Sequence, residues 1–333
     1  MNSTRDYFRG LNEYVGGSWN RFWFEPSDAF GVCVLRIAVG LMALIWQLSF
    51  TPDLVNWFGN TGWLVEPVVG GVLLDPTGYR LSFLNFDDHP TVLWVLHVLA
   101  SLVLLAFTIG FKARWTSILS LIVVLAYAHR ALIVAGPAEP VLTMLVLYMC
   151  LAPSGTFLSV DAKMRPATRE VVTFSWWATL SRRLIQVHLV IIYIAMGTTA
   201  LASETWWYGE ALWWISAQPE GRLVDLSFLR GFVPLLHAAT HLVLICTFAF
   251  IIFIWNDWLR PIVLSASILM WVFLALITGN LALSAVMIIA NLSFVPSAFW
   301  RSRLQRPEKG GGREAEGRSR NPELEKITVS NAV

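Results

Sequence analysis

The side chains able to do acid–base chemistry in this 333-residue chain are few and widely spaced: His129 beside Arg130, His188, Glu204, and the pair His237 and His241. Histidine exchanges a proton near neutral pH, and a carboxylate such as Glu204 is a second candidate acid or base. His129, His188 and Glu204 are therefore the candidate catalytic groups. Arginine holds anions, and aromatic rings wall flat or lipidic ligands. On that ground Arg36, Arg130, Tyr193, Trp206, Trp207 and His241 are the candidate ligand-binding residues. Each also has a plainer reading. His129 and Arg130 are placed to form an ion pair with Glu139 or Glu204. Arg36 either snorkels to headgroups or bonds helix carbonyls. His188 suits a packed interhelical histidine, and the Trp pairs suit an interfacial belt. His237 and His241 lie on one helix face at the spacing of two metal ligands, or of two interhelical hydrogen-bond donors. No third ligand stands near them in sequence, so no metal site is assigned.

The elements that must position these groups are membrane helices. Hydrophobic residues make up 56 % of the chain and charged residues only 14 %, where soluble chains carry about 25 % charge. The apolar residues come in blocks of roughly 20, the length that spans a bilayer. The expected fold is all-α: a polytopic helical bundle of about eight transmembrane helices with interfacial helices. The spans fall near residues 30–50, 91–110, 115–135, 139–153, 183–202, 233–255, 262–278 and 281–299. Residues 1–29, with Trp19, Phe22, Trp23 and Phe24 beside Arg21, read as an interfacial segment and carry no cleavable signal pattern. Residues 30–300 read as the transmembrane domain, within which Thr51–Pro90 resembles a cap or re-entrant segment. Residues 301–333 read as a disordered basic tail.

Charge sets the orientation. Lys112 and Arg114, the basic residues from Lys163 to Arg183, Arg260 and the tail all fall on the side of the N-terminus. Only Arg80, Arg222 and Arg230 fall opposite. By the positive-inside rule both termini are cytoplasmic. The expected location is thus the cytoplasmic membrane of a bacterium, with the lipid bilayer as first partner. Arg36 and His188 then lie about 9 Å from the inner boundary. His97, His129, Arg130, Glu139, Glu204, His237 and His241 gather in the outer half, which points to an outward-facing polar chamber. Cys33, Cys150 and Cys246 sit inside apolar blocks and read as packing residues. The net charge of +2 gives no reason to expect a nucleic-acid partner. No Walker loop, dinucleotide fingerprint, HExxH or G-x-S-x-G element is present, so no hydrolase or NTPase is indicated. No internal repeat of the kind built into many transporters is evident.

Several blocks, in order, resemble the horizontally transferred transmembrane (HTTM) domain family, whose best-known relatives are the vitamin K-dependent gamma-carboxylases. They are VLRIAVGL in the first span, TIGFKARWTSIL between the second and third, and YAHRA in the third. LAPSGTFLSVD follows the fourth, IQVHLVIIYIAMG and ETWWYGEALWW surround the fifth, and ANLSFVP closes the eighth. The resemblance covers most of residues 22–297. It implies a multi-span bundle with a site facing the exterior and a quinone-like cofactor. In the carboxylases a lysine just after the glycine of the fifth-span motif starts the reaction by deprotonating a hydroquinone. The corresponding run here is Gly197-Thr198-Thr199-Ala200, with Ala200 in the lysine's place. The chain's lysines, Lys112, Lys163, Lys309 and Lys326, all fall on the expected cytoplasmic side. Glutamate carboxylation is therefore not the expected activity. Three readings stay open. One is a protein binding a quinone- or lipid-like ligand and acting on an exported peptide or small substrate. The second is a non-enzymatic membrane partner in peptide maturation or export. The third is a transporter.

Overall fold

A computed structural model describes residues 2–59, 62–63, 82–85, 89–130, 136–166, 168, 171–217 and 232–304. The chain opens with α1 (Asn2–Phe24), a short strand β1 (Ser27–Asp28), α2 (Phe30–Leu48) and α3 (Leu54–Phe58). There follow α4 (Pro90–Ile109), α5 (Ala113–Arg130), α6 (Ala138–Leu151) and the single turn α7 (Val160–Lys163). Strand β2 (Phe174–Ser175) leads into α8 (Trp176–Leu201), the short α9 (Glu204–Trp207) and α10 (Ala211–Ala217). The chain continues with α11 (Val233–Phe253), α12 (Arg260–Thr278), α13 (Leu281–Asn291) and α14 (Ser297–Leu304). The fold is all-α apart from the two-residue antiparallel pairing of Ser27 with Ser175 and Asp28 with Phe174.

A helix stands at each of the eight places expected from the sequence. Five are long and apolar enough to cross a membrane: the stretch Phe30–Phe58 that contains α2, and α4, α8, α11 and α12. Their outward faces carry Leu41, Ile45, Leu102, Ile191, Ile245 and Leu269, all exposed. Helices apolar on every side are what a bilayer solvates. The protein is thus a multi-pass membrane protein. The other three helices, α5, α6 and α13, are either less apolar or shorter: α6 has 14 residues and α13 has 11.

Two boundaries differ from expectation. The fifth helix begins at Trp176, because Ser175 adopts an extended conformation and its side chain accepts from the Trp177 amide at 3.3 Å. Arg182 and Arg183 therefore lie in the second turn of α8 rather than at its mouth. The last apolar block breaks early. After Asn291 the chain tightens into a 3-10 turn, Leu292–Phe294, and then extends at Val295, because a residue preceding proline, here Pro296, is pushed out of the helical region.

Helix α2 is the central post. Of its most apolar window 61 % is buried, against 28–33 % for the other four. It packs closely on α4, where a side chain at Gly40 would come within 2.6 Å of the Thr108 hydroxyl. Past its end, Phe50, Leu54, Phe58 and Leu84 fold back as a buried cap. The rest of the Thr51–Pro90 segment lies outside the described residues. Residues Met1–Ser297 form one compact unit and Ala298–Val333 a second, of which the described part is helical, with Arg303 over the Phe299 ring at 5.7 Å. The tail from residue 305 onward lies outside the described residues.

Candidate functional site

Two buried polar clusters and one cavity stand out. The first cluster joins α2, α4 and α5. Gln47, His97 and Tyr127 are all essentially inaccessible. Gln47 Nε2 lies 3.2 Å from the His97 carbonyl, which can only accept, so the amide must present its N–H groups on that side. The same nitrogen sits 2.9 Å from His97 Nδ1. Nδ1 is then the acceptor, and the ring proton is on Nε2, facing the Thr51 hydroxyl at 3.0 Å. Tyr127 Oη is 2.9 Å from Nδ1, and Ser101 Oγ donates toward Gln47 Oε1 at 2.9 Å. Phe50 and Phe58 pack around the Tyr127 ring at 6.2 and 5.1 Å. The result is a neutral hydrogen-bonded clamp among three helices, with all of His97's polar atoms engaged. Nearby, Trp46 Nε1 donates to Glu139 Oε1 at 3.0 Å.

The second cluster joins α8, α12 and α13. The Tyr193 hydroxyl accepts from Trp271 Nε1 at 2.7 Å and from Asn291 Nδ2 at 3.1 Å, and hydrogen-bonds Ser267 Oγ at 2.5 Å. The Tyr193 ring stacks on Phe250, centroids 4.1 Å apart. Asn291 Oδ1 is buried with no hydrogen-bond partner among the described residues, and enclosed hydrogen bonds of this kind fix helix register in an apolar solvent.

The Trp271 indole also forms part of the wall of a cavity of about 220 Å³ bounded by α8, α11, α12 and α13, with Trp206 from α9. Gly197 and Ala200 lie on its α8 side, and Met196, Met270 and Leu283 contribute further apolar surface. Thr247, Thr278, Asn280 and Ser284 are the hydroxyl- and amide-bearing lining residues, and among the described residues no ionisable side chain lines it. An apolar cavity of ~150 Å³ accepts a benzene ring. This one is large enough for a ring with a short substituent or part of a lipid chain.

The candidate residues distribute among separate surroundings. Arg36 is fully buried, and its guanidinium donates to the carbonyls of Ser154 and of Leu158, the latter at 2.6 Å. Both carbonyls belong to the loop after α6, so Arg36 bonds backbone, but of a loop rather than a helix. Gly110 makes room for it: at φ +73°, a side chain there would lie 2.7 Å from Arg36 Nη1. The same loop caps α5 through Asp161, whose carboxylate accepts from the amides of Lys112 and Ala113 at 2.7 and 2.8 Å. His188 pairs with Tyr148 Oη through Nδ1 at 3.0 Å. Arg130 donates to the Phe58 carbonyl at 3.2 Å, and the His129 Nδ1 atom is buried with no hydrogen-bond partner among the described residues. Glu204 is exposed at the start of α9. The His241 ring nitrogens face the carbonyls of His237 at 2.7 Å and Trp207 at 3.3 Å. Trp207 Nε1 bonds the Leu201 carbonyl at 2.5 Å. Of the nine candidates, Tyr193 (through Trp271) and Trp206 are the two tied to the cavity.

Sequence reasoning missed Gln47, Ser267, Trp271 and Asn291. Each is neutral, and a search by charge and depth passes over it. Among the described residues no group of three or more His, Cys, Asp or Glu is arranged to hold a metal, and Cys33, Cys150 and Cys246 are free thiols. Compared with protein-family models, curated proteins and solved structures, the chain gives no match in any of the three.

Proposed function

We propose that this chain is an HTTM-like membrane protein of eight spans with both termini cytoplasmic, and that it binds a quinone- or lipid-like molecule in the cavity beside Gly197 and Ala200. The observation that carries the reading is the cavity's chemistry. It lies against the fifth-helix run where the family's lysine would stand, its lining is mostly aromatic, aliphatic and thioether, and among the described residues no ionisable side chain lines it. Such a wall binds an apolar ring or chain and offers hydroxyl and amide groups to orient it. It supplies no base able to take a proton from a hydroquinone. The role is therefore ligand holding coupled to an exported peptide or small substrate, rather than lysine-initiated carboxylation. The second reading, a non-enzymatic partner in peptide maturation, draws on the exposed aromatic ledge of Trp207, Tyr208 and Trp214 beside α9 and α10.

The test is direct. Protein purified in mild detergent is extracted and its bound lipids and quinones identified by mass spectrometry. Titration of the stripped protein with a short-chain quinone is then followed by tryptophan quenching, since Trp206 and Trp271 line the cavity. The expected result is saturable quenching that Ala200→Phe, which fills the space, weakens about tenfold, a loss of ~1.4 kcal/mol. Equal titrations for the parent and Ala200→Phe, with unchanged thermal stability, would sink the reading.

A further inference from the structure

At the end of the bundle where α8 and α12 begin, an unusual surplus of positive charge is held in one place. Arg183 lies over the Phe22 ring at 4.4 Å and over the Trp255 ring at 5.8 Å. Arg260 Nε donates to the Ile254 carbonyl at 3.2 Å and Nη2 to that of Trp255 at 3.4 Å, so both arginines anchor on the same turn. Phe22 in turn touches Trp255 at 5.7 Å and Trp23 at 5.0 Å, which brings the end of α1 into the group. Arg182 is next to Arg183, forms no hydrogen bond or ion pair among the described residues, and feels the repulsion of both Arg183 and Arg260.

The donors in this group are only partly used. Arg183 Nη1 donates to Gln186 Oε1 at 3.0 Å, but Arg182 Nε, Arg183 Nε and Trp23 Nε1 are each buried with no hydrogen-bond partner among the described residues. Three unpaired N–H donors, two of them on the guanidinium groups themselves, are costly in an apolar surrounding unless an acceptor meets them. Asp28 and Asp257 attract Arg182 and Arg183 through space, yet these three N–H groups have no hydrogen-bond partner among the described residues. Asp257 is 84 % exposed and pairs with Arg260 at 2.6 Å. Asp28 accepts from the Phe30 amide at 2.9 Å, and Glu25 is exposed. Around the group stand partly exposed indoles, Trp176, Trp177 and Trp258, the last 90 % accessible, as at a headgroup boundary.

We infer that Arg182, Arg183, Arg260 and Trp23 form a binding site for a phosphate group, and that its source is the headgroup of an anionic phospholipid. A phosphate supplies several acceptor oxygens, and guanidinium forks match it. The site sits at the end of spanning helix α8, where lipid phosphates lie. It is distinct from the cavity at Ala200 and does not depend on the ligand proposed there.

The experiment reconstitutes the full chain in nanodiscs of phosphatidylcholine with or without phosphatidylglycerol and counts retained lipid by native mass spectrometry. The parent is expected to keep at least one phosphatidylglycerol, and Arg182→Gln to lower that retention roughly fivefold, the share of one arginine at a charged lipid surface. Arg114→Gln, a basic residue of α5 outside the group, is expected to leave it unchanged. Trp23→Phe, which deletes one donor and keeps the ring, tests the site where Arg182→Gln unfolds, and is expected to reduce retention as well. Equal retention of the two lipids by the parent overturns the site. So does an equal loss in Arg114→Gln, which would make the effect general surface charge. Displacement of the retained lipid by millimolar inorganic phosphate overturns the lipid assignment.

Discussion

Replacing Arg36 by leucine is the sharpest test of how the bundle is held at its basic end. Arg36 is fully buried, and its two terminal nitrogens, Nη1 and Nη2, bond the carbonyls of Ser154 and Leu158, while Nε has no partner among the described residues. Hydrogen bonds from a charged group contribute about 1.5–3 kcal/mol each, or about 3–6 kcal/mol for the pair. Part of that is returned, since leucine removes the cost of burying a guanidinium. Leucine is too short to fill the same space, however, and the two carbonyls lose their donors. A net loss of about 2–4 kcal/mol follows, which lowers Tm by roughly 3–6 °C for a domain of this size. The assay uses a neighbour. Cys33 is completely buried beside this loop, and its Sγ accepts from the Phe157 amide at 3.4 Å. In a Cys150→Ser, Cys246→Ser background, a fluorogenic maleimide reports only on Cys33. The variant should label faster in the folded state and show a lower midpoint on heating. A midpoint within about 1 °C of the parent, with Cys33 still protected, would refute the structural role assigned to Arg36.

Two further outcomes are expected. Tyr193→Phe keeps the stacking on Phe250 but deprives Trp271, Asn291 and Ser267 of a shared partner. It should cost about 2–4 kcal/mol and shift tryptophan emission, measured by fluorescence-detected melting, and an unchanged spectrum and midpoint would count against the network. Asp161→Ala uncaps the start of α5, where two amides bond the carboxylate. It should lower stability by about 1–2 kcal/mol, with Asp161→Asn recovering part of the loss.

The helices were readable because a span announces itself by length and apolarity, and the positions of α2, α4, α8, α11 and α12 follow from those alone. The site was less legible. Arg36 stood out as a charge in apolar sequence, but its partners are carbonyls, which every residue has, on a loop far along the chain. Any residue of that loop would have offered the same atom. Tyr193 was singled out as polar within a span, yet Ser267, Trp271 and Asn291 are each ordinary in their own helices. Only the packing of α8 against α12 and α13 brings them together. The cavity has no local signature in the sequence. Its walls come from helices whose relative rotation no local pattern encodes.

The pairing of Ser27 with Ser175 has a consequence for how the protein is made. The Thr179 hydroxyl closes the same junction by donating to the Glu25 carbonyl at 2.5 Å, across 154 positions of sequence. At about 5–20 residues per second, a ribosome needs roughly 8–30 s to supply the second half of that junction. For most of this interval α2 carries the Arg36 charge without its partners, since Ser154 and Leu158 follow it by 118 and 122 positions, and a charge within a span is costly until it is paired. The central post of the finished bundle is thus completed in two steps, first by the loop that pairs Arg36 and then by the start of α8, which joins the segment ahead of it.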